Sequence, residues 1–452
     1  MGSWLVEQLD DASVSPLELA GQCRRRGCRT LFFDSQQRHA DEGRYSIILT
    51  EPSRWLSEKC GKFWEGPDGR RIADPGRWMV DARRSASGIP NTPFVGGLAG
   101  YLGFEFGWAL EDLKVKKRRA PTPDLWVGRF DHGAVFDHRT SRWSLVFRDP
   151  SSAEDHRDMW YRVLNSAGAL PEAQGPTWSV EMKAPSRDHW TSRVQRGVDD
   201  IFEGEFFEVN YTERFHGTLK GCPWALYCDL RERAPGPYGG YVDLPQVEIA
   251  SISPEQFMEI GADGKVLTRP IKGTRPRGAS PEEDEHLARS LQESVKDRAE
   301  NTMIVDLMRN DLTRVCQLGT VTVSEWCGLH SFASVHHLIS TVEGRLDPKC
   351  DRAVAFLNCF PAGSITGAPK LRAMEWIASV EATARGPYTG SLFYLSDHGR
   401  LDSNVLIRTA VIQNGHIQYG SGGAVVSDSN PEQEYEEAQW KARPLMDVEV
   451  EQ

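Results

Sequence analysis

From about residue 186 to its end, the sequence alternates strand-like runs with long helical patterns, which demands a fold of mixed helix and sheet. In KDRAENTMIVDLMRNDLTRV, Glu300, Ile304 and Leu307 recur at i, i+4 and i+7, so a carboxylate shares the face of an apolar stripe. That face is expected to point inward. After FPAGSITGA, Pro369 suits the first turn of a helix over KLRAMEWIASV, and the Gly, Ser and Thr before it leave backbone N–H groups free to hold an anion. NVLIRTAVI and HIQYG flank Asn414 and Gly415, a hairpin signal, with Arg408 inside the apolar run of the first strand. The last helical segment, SNPEQEYEEAQWKA, sets Glu434, Glu437 and Lys441 along one side.

The first third carries short strand-like runs (TLFFDS, YSIILTEP, WSLVFRDP), a Gly-rich aromatic stretch, GGLAGYLGFEFGWALE, and a basic patch, KVKKRRAPTP. In a chain of net charge −11 that proline-marked patch reads as a solvated loop, and EEDEH at 282–286 reads the same way. Polar, Pro-rich sequence near 171–188 marks a boundary between an N-terminal region, 1–175, and a C-terminal domain, 186–452. The acidic balance gives no pull toward nucleic acid or an anionic membrane. No apolar run approaches the roughly 20 residues that span a bilayer, and MGSWLVEQLDD lacks a basic segment followed by an apolar one. A cytoplasmic protein is therefore expected. Nine scattered cysteines without CxxC pairs favour reduced, structural thiols.

Three features carry charge into apolar surroundings: Glu300 on its helix face, Arg408 in its strand, and the Glu434, Glu437, Lys441 ridge. Buried charge is costly unless it is paired or metal-bound. The residues alone leave two readings open. One is a structural salt-bridge network; the other is a site where carboxylates from two helices hold a hard cation, Mg²⁺ before zinc, against a small anionic substrate.

PIKGTRPRG at 270–278, DRAENTMIVDLMRNDL at 297–312, GSITGAPKLRAME at 363–375, YTGSLFYLS at 388–396, LDSNVLIRTAV at 401–411 and SGGAVVSDSNPEQEYEEAQWKA resemble, in order, the motifs of the chorismate-binding enzymes. The resemblance is strong from about 186 onward, while YSIILTEP and GGLAGYLGFEFG are similar to the N-terminal region of the aminating members. It implies an α+β fold, a sandwich of two large antiparallel β-layers flanked by helices that encloses the active site. It also implies Mg²⁺ ligation by Glu300 and Glu434 with Glu437 close by, and neutralisation of the ring carboxylate of chorismate by that ion. Tyr388 and Arg408 would hold the pyruvyl carboxylate, Lys441 would lie near the metal-bound one, and His337 and Thr274 would line the pocket. His336 reads as packing. Ser364, Thr366 and Gly367, with Gly422 and Gly423, would supply hydroxyl and backbone donors, and Ala424 stands where many members have glycine.

Lys272 separates the reactions. Anthranilate synthases usually read PIAGT, aminodeoxychorismate synthases PIKGT, so the resemblance implies that Lys272, its pKa lowered by partial desolvation, attacks C2 of chorismate. Glu255 in SISPEQF matches the acid that protonates the departing C4 hydroxyl, after which ammonia attacks C4 and expels the lysine. Glu208 stands where aminating members usually have glutamine and where isochorismate synthases have a lysine that activates water. It could act as a base or reshape the approach of ammonia. No glutaminase pattern is present, so ammonia is expected from solution or from a separate glutaminase subunit, component II. FFDS, ending at Ser35, resembles a segment that lines a tryptophan site in relatives; a regulatory, structural or lost pocket and an ordinary core strand all remain open.

Overall fold

The computed structural model describes residues 4–9, 14–36, 43–59, 61–84, 92–115, 118–148, 153–165, 178–332 and 335–446. The start of the Pro-rich boundary, 171–177, lies outside them. Among the described residues two antiparallel sheets of twelve strands each form the body of the molecule. The first runs from Leu5–Leu9 through Tyr45–Thr50, Thr30–Asp34, Gly239–Leu244, Thr409–Gln413 and His416–Val425 to Glu208–Gly221 and Trp178–Lys183. The second runs from Ile271–Pro276 and Val335–Arg345 through Gln256–Ile260, Ser391–Ser396 and Gly97–Leu102 to Arg70–Ile72. Strands from either side of residues 171–188 thus share both sheets.

Alternation along each strand sends successive side chains to opposite faces, and here both faces are covered. Leu31 and Ile47 join Tyr101 and Trp126 in a core between the sheets, whereas Phe32 and Ile48 turn to the helices Pro16–Arg25 and Pro223–Arg233 on the far side. A third cluster packs Val295–Thr313, Arg352–Cys359 and Lys370–Val380 onto the second sheet. The expected α+β sandwich with helices outside is what forms, and continuous apolar runs such as Gly97–Leu102 follow from burial on both sides.

Local signals explain the elements that reach the site. Asn414 (φ 51°) and Gly415 (φ 78°) make the two-residue turn between Thr409–Gln413 and His416–Val425. Arg408 lies just before that strand rather than within it, in the left-handed region at φ 48°. The acidic run at 282–286 is helical, not loop. Ser280 Oγ accepts from Glu283 N (3.2 Å), Pro281 opens the helix Pro281–Glu293, and Glu282, Glu283 and Asp284 complement its dipole. No helix among the described residues is long and apolar enough to cross a membrane.

Candidate active site

Residues from the strands Ile271–Pro276 and His416–Val425 and the helices Val295–Thr313 and Pro431–Met446 enclose a cavity of about 490 Å³. Lys272, Glu255, His337, Thr274, Ser364, Tyr388, Arg408, Gly423, Lys441, Glu300, Glu434 and Glu437 all line it. Ser35 lies elsewhere, beside a smaller cavity of about 90 Å³, and its hydroxyl donates to Tyr45 O (2.6 Å).

On the helix Val295–Thr313 the predicted inward stripe is present: Ile304 and Leu307 are buried, and Glu300 on the same face reaches the cavity. Burial pushes the Glu300 carboxyl up to about 7. Burial, then the neighbouring Glu437, likewise raises Glu434, although Ser429 Oγ donates to its Oε1 (2.8 Å). The half-exposed Lys296 stands 3.9 Å from Glu300 Oε1 and 3.9 Å from Glu434 Oε1. Sequence reasoning passed over Lys296, though it precedes Glu300 by four residues on one helix face. Glu437 is instead held low by Lys441, whose Nζ lies 2.6 Å from its Oε1 and also donates to Gly422 O (2.9 Å).

A hard cation fits this donor set, because two carboxylates from different helices face one space with a single shared, distant lysine between them. Gly423 keeps the space open: a Cβ there would sit 3.3 Å from Glu434 Oε2 and 3.6 Å from Lys441 Nζ. Among the described residues no group of three or more His, Cys, Asp or Glu side chains is gathered to hold a metal. Glu300 and Glu434 would therefore supply part of a coordination shell, leaving the rest to substrate and water.

Lys272 enters the cavity from a backbone irregularity. The pairing of Ile271–Pro276 with Val335–Arg345 shifts register between Ile271 and Thr274, and Gly273 sits at φ 84°, a conformation glycine adopts freely. Lys272 Nζ donates to Glu208 Oε1 (2.8 Å), with Glu208 fully buried at the start of the strand Glu208–Gly221. The expectation of a lowered lysine pKa is corrected here. Burial alone would depress it, but the Glu208 and Glu300 carboxylates outweigh that effect and hold the ammonium above the ordinary range. Glu255 is buried and pushed up to about 7 by desolvation, while Ser364 Oγ donates to its Oε1 (2.6 Å).

Another part of the lining is suited to an anion. Arg408 lines the cavity, and no carboxylate pairs with its guanidinium among the described residues. Buried Arg385, Arg214 and Arg129 by contrast each hold an acid, Glu381 for the first two and Asp397 for the third. Tyr388 also lines the cavity, its ring covered by the Arg214 guanidinium at 5.0 Å. His337 Nδ1 pairs with Thr274 Oγ1 (2.9 Å), and burial lowers it to about 3, so the ring is neutral. His336 points away, to Asp284 Oδ1 (3.0 Å). Thr366 and Gly367 do not reach the cavity. The Thr366 hydroxyl donates to Ala362 O and Gly363 O, and Gly367 pairs with Val209 in the sheet, so only Ser364, Gly422, Gly423 and Ala424 remain as wall.

The family model described as chorismate binding enzyme matches residues 45–447. Aminodeoxychorismate synthase component 1 of Klebsiella aerogenes is 37% identical over 403 residues, covering 87% of this chain and 88% of that one. Anthranilate synthase component 1 of Thermus thermophilus is also 37% identical, over 414 residues, 90% of this chain and 89% of that one. Against a further relative, aminodeoxychorismate synthase of Streptomyces griseus, the chain spans only 51% of that protein's length, at 37% identity over 79% of itself. The crystal structure of anthranilate synthase component I from Streptococcus pneumoniae superposes with a TM-score of 0.80 at 28% identity, covering 90% of this chain and 93% of that one.

Proposed function

The chain belongs to the chorismate binding enzyme family, and on that footing we propose that it aminates chorismate at C4. The product is 4-amino-4-deoxychorismate, a precursor of 4-aminobenzoate and folate. The observation that carries this reading is Lys272, delivered into the cavity by the Gly273 irregularity within reach of the field of Glu255. Its amine would attack C2 while Glu255, kept protonated near neutrality by burial, gives its proton to the leaving C4 hydroxyl. Ammonia then attacks C4 and expels the lysine. Arg408 and Tyr388 would grip the pyruvyl carboxylate, the guanidinium in a charge-assisted pair. Glu300 and Glu434 would hold Mg²⁺, which supplies positive charge for the ring carboxylate in an otherwise acidic chain. Ammonia would come from a separate glutaminase subunit, a reading supported by the component 1 names of the relatives.

Equal identity to the Thermus thermophilus relative favours anthranilate formation as the second reading. Product analysis after incubation with chorismate, Mg²⁺ and ammonium separates the two. The expected wild-type product is the 4-amino compound with its pyruvyl group retained, and Lys272→Ala is expected to open C2 to ammonia, shifting product toward 2-amino-2-deoxyisochorismate or anthranilate. Anthranilate as the main wild-type product, or a Lys272→Ala variant making only the 4-amino compound at undiminished rate, would defeat the nucleophile assignment.

A further inference from the structure

We propose that Glu208 is a positioning residue for Lys272 that also takes the proton of its amine, giving this chain an internal route to the free nucleophile. The inference rests on the amination reading above. Glu208 is fully buried and does not line the cavity, so it works through Lys272 rather than on substrate. It is fixed by backbone pairing, Glu208 with Ala368 and Val209 with Gly367, and by Phe207 N donating to Ala368 O (2.8 Å). Oε1 accepts from Lys272 Nζ at 2.8 Å, while Oε2 is buried without a hydrogen-bond partner.

That half-satisfied carboxylate is the central observation. As an anion it lacks donors for one oxygen; as the neutral acid it needs to donate one hydrogen bond, which a free amine accepts. The other buried acid pairs cannot use this option. Glu381 and Asp397 face guanidinium groups, which stay protonated in proteins, and Lys370, paired with Asp311 (2.6 Å), also donates to Cys359 O and lies outside the cavity. Lys272 meets a protonatable partner on one side and the substrate space on the other. Glu300, Glu255 and Glu437 also act on its charge across the cavity, and they are unchanged in the comparison below.

The protons balance. Nζ gives one proton to Glu208 when chorismate displaces water, and its lone pair bonds to C2. The C4–O bond breaks, and the hydroxyl leaves as water with the Glu255 proton. Ammonia bonds to C4 as the C2–N bond breaks, Lys272 departs as the free amine and recovers its proton from Glu208, and the new C4 ammonium returns a proton to Glu255.

Glu208→Gln tests this, since the amide has the shape of the acid and is the residue aminating relatives usually carry. Wild type, Glu208→Gln, Lys272→Met and the double variant are treated with cyanate at pH 8, and carbamylation of the Lys272 peptide is followed by mass. Chorismate consumption is measured against pH at constant free ammonia. Without the carboxylate, Lys272 should be carbamylated about tenfold faster, the change that one pKa unit brings. The acid side of the rate profile, flat in wild type, should fall about tenfold per pH unit in Glu208→Gln, and Lys272→Met and the double variant should share one profile. Equal carbamylation with rate profiles that differ only by a constant factor overturns the proposal. A wild type that consumes chorismate without forming the 4-amino compound overturns the amination reading instead, and leaves the carbamylation comparison standing.

Discussion

Arg408 and Arg385 are both buried, and their surroundings predict opposite consequences of losing them. Arg385 donates to Glu381 Oε1 (2.6 Å), Asn210 O (2.7 Å) and Ile365 O (2.8 Å), so Arg385→Met leaves Glu381 with Arg214 alone of its two guanidinium partners, strips a donor from two carbonyls, and should cost about 1–3 kcal/mol in denaturant unfolding. Among the described residues no acid pairs with Arg408, and Arg408→Met should leave the melting temperature unchanged or raise it. Chorismate binding, measured as KM, should weaken about ten- to a hundredfold, the worth of a charged hydrogen bond of about 1.5–3 kcal/mol. A destabilised Arg408→Met with unchanged KM would return Arg408 to a structural role. Glu255 gives a prediction in pH. The acid needed to protonate a leaving hydroxyl is the protonated form, and burial places its titration at about 7 rather than 4.5. Turnover at constant free ammonia should therefore decline as pH rises through 7, by about tenfold per unit beyond it, and Glu255→Gln should lose about 10²–10⁴-fold together with that limb. A wild-type rate that climbs steadily from pH 7 to 9 removes Glu255 from this role.

At the scale of elements, the site depends on two helices meeting across the cavity, Val295–Thr313 bringing Glu300 and Pro431–Met446 bringing Glu434. Turnover should require Mg²⁺, stop in EDTA, and nearly vanish in Glu300→Gln and Glu434→Gln while far-ultraviolet circular dichroism stays native. Full activity in EDTA would sink the metal assignment. Those helices were legible because periodicity is local: Glu300, Ile304 and Leu307 share a face whatever they pack against. The hairpin at Asn414 and Gly415 was legible for the same reason. What escaped reading is set by partners distant in sequence. The Lys272 pKa turned upward because Glu208, 64 residues away, lies across from it. Thr366 and Gly367 left the wall because Gly367 joins the edge of the strand Glu208–Gly221. The acidic run at 282–286 misled because its charge outweighed the Ser280–Pro281 start signal that caps it. Strand order, too, joins segments hundreds of residues apart, such as Ser391–Ser396 beside Gly97–Leu102, and no local pattern encodes it.

At the scale of the whole molecule, the proposed amination needs ammonia, which glutamine yields only through a glutaminase. An amidotransferase of the cysteine type needs an accessible thiol whose pKa is depressed by a neighbouring base or helix start. Among the described residues burial pushes up the thiols of Cys23, Cys28, Cys228, Cys316, Cys327, Cys350 and Cys359, to about 12 for Cys228 and about 11 for Cys316. Cys222, the remaining described cysteine, begins the helix Pro223–Arg233 with its sulfur accepting from Arg24 Nη1 (3.5 Å), far along the strand from the cavity end of Glu208–Gly221. Among the described residues no cysteine lines the cavity. Ammonium at alkaline pH should thus support amination by the chain alone, whereas glutamine at neutral pH should do so only after a glutaminase subunit is added. Alkylating the thiols with iodoacetamide should leave the ammonium-dependent rate of the isolated chain within about twofold, because no described cysteine lines the proposed site. Glutamine-dependent product from the isolated chain, abolished by the same alkylation, would reveal a nucleophilic cysteine within it and make a partner subunit unnecessary.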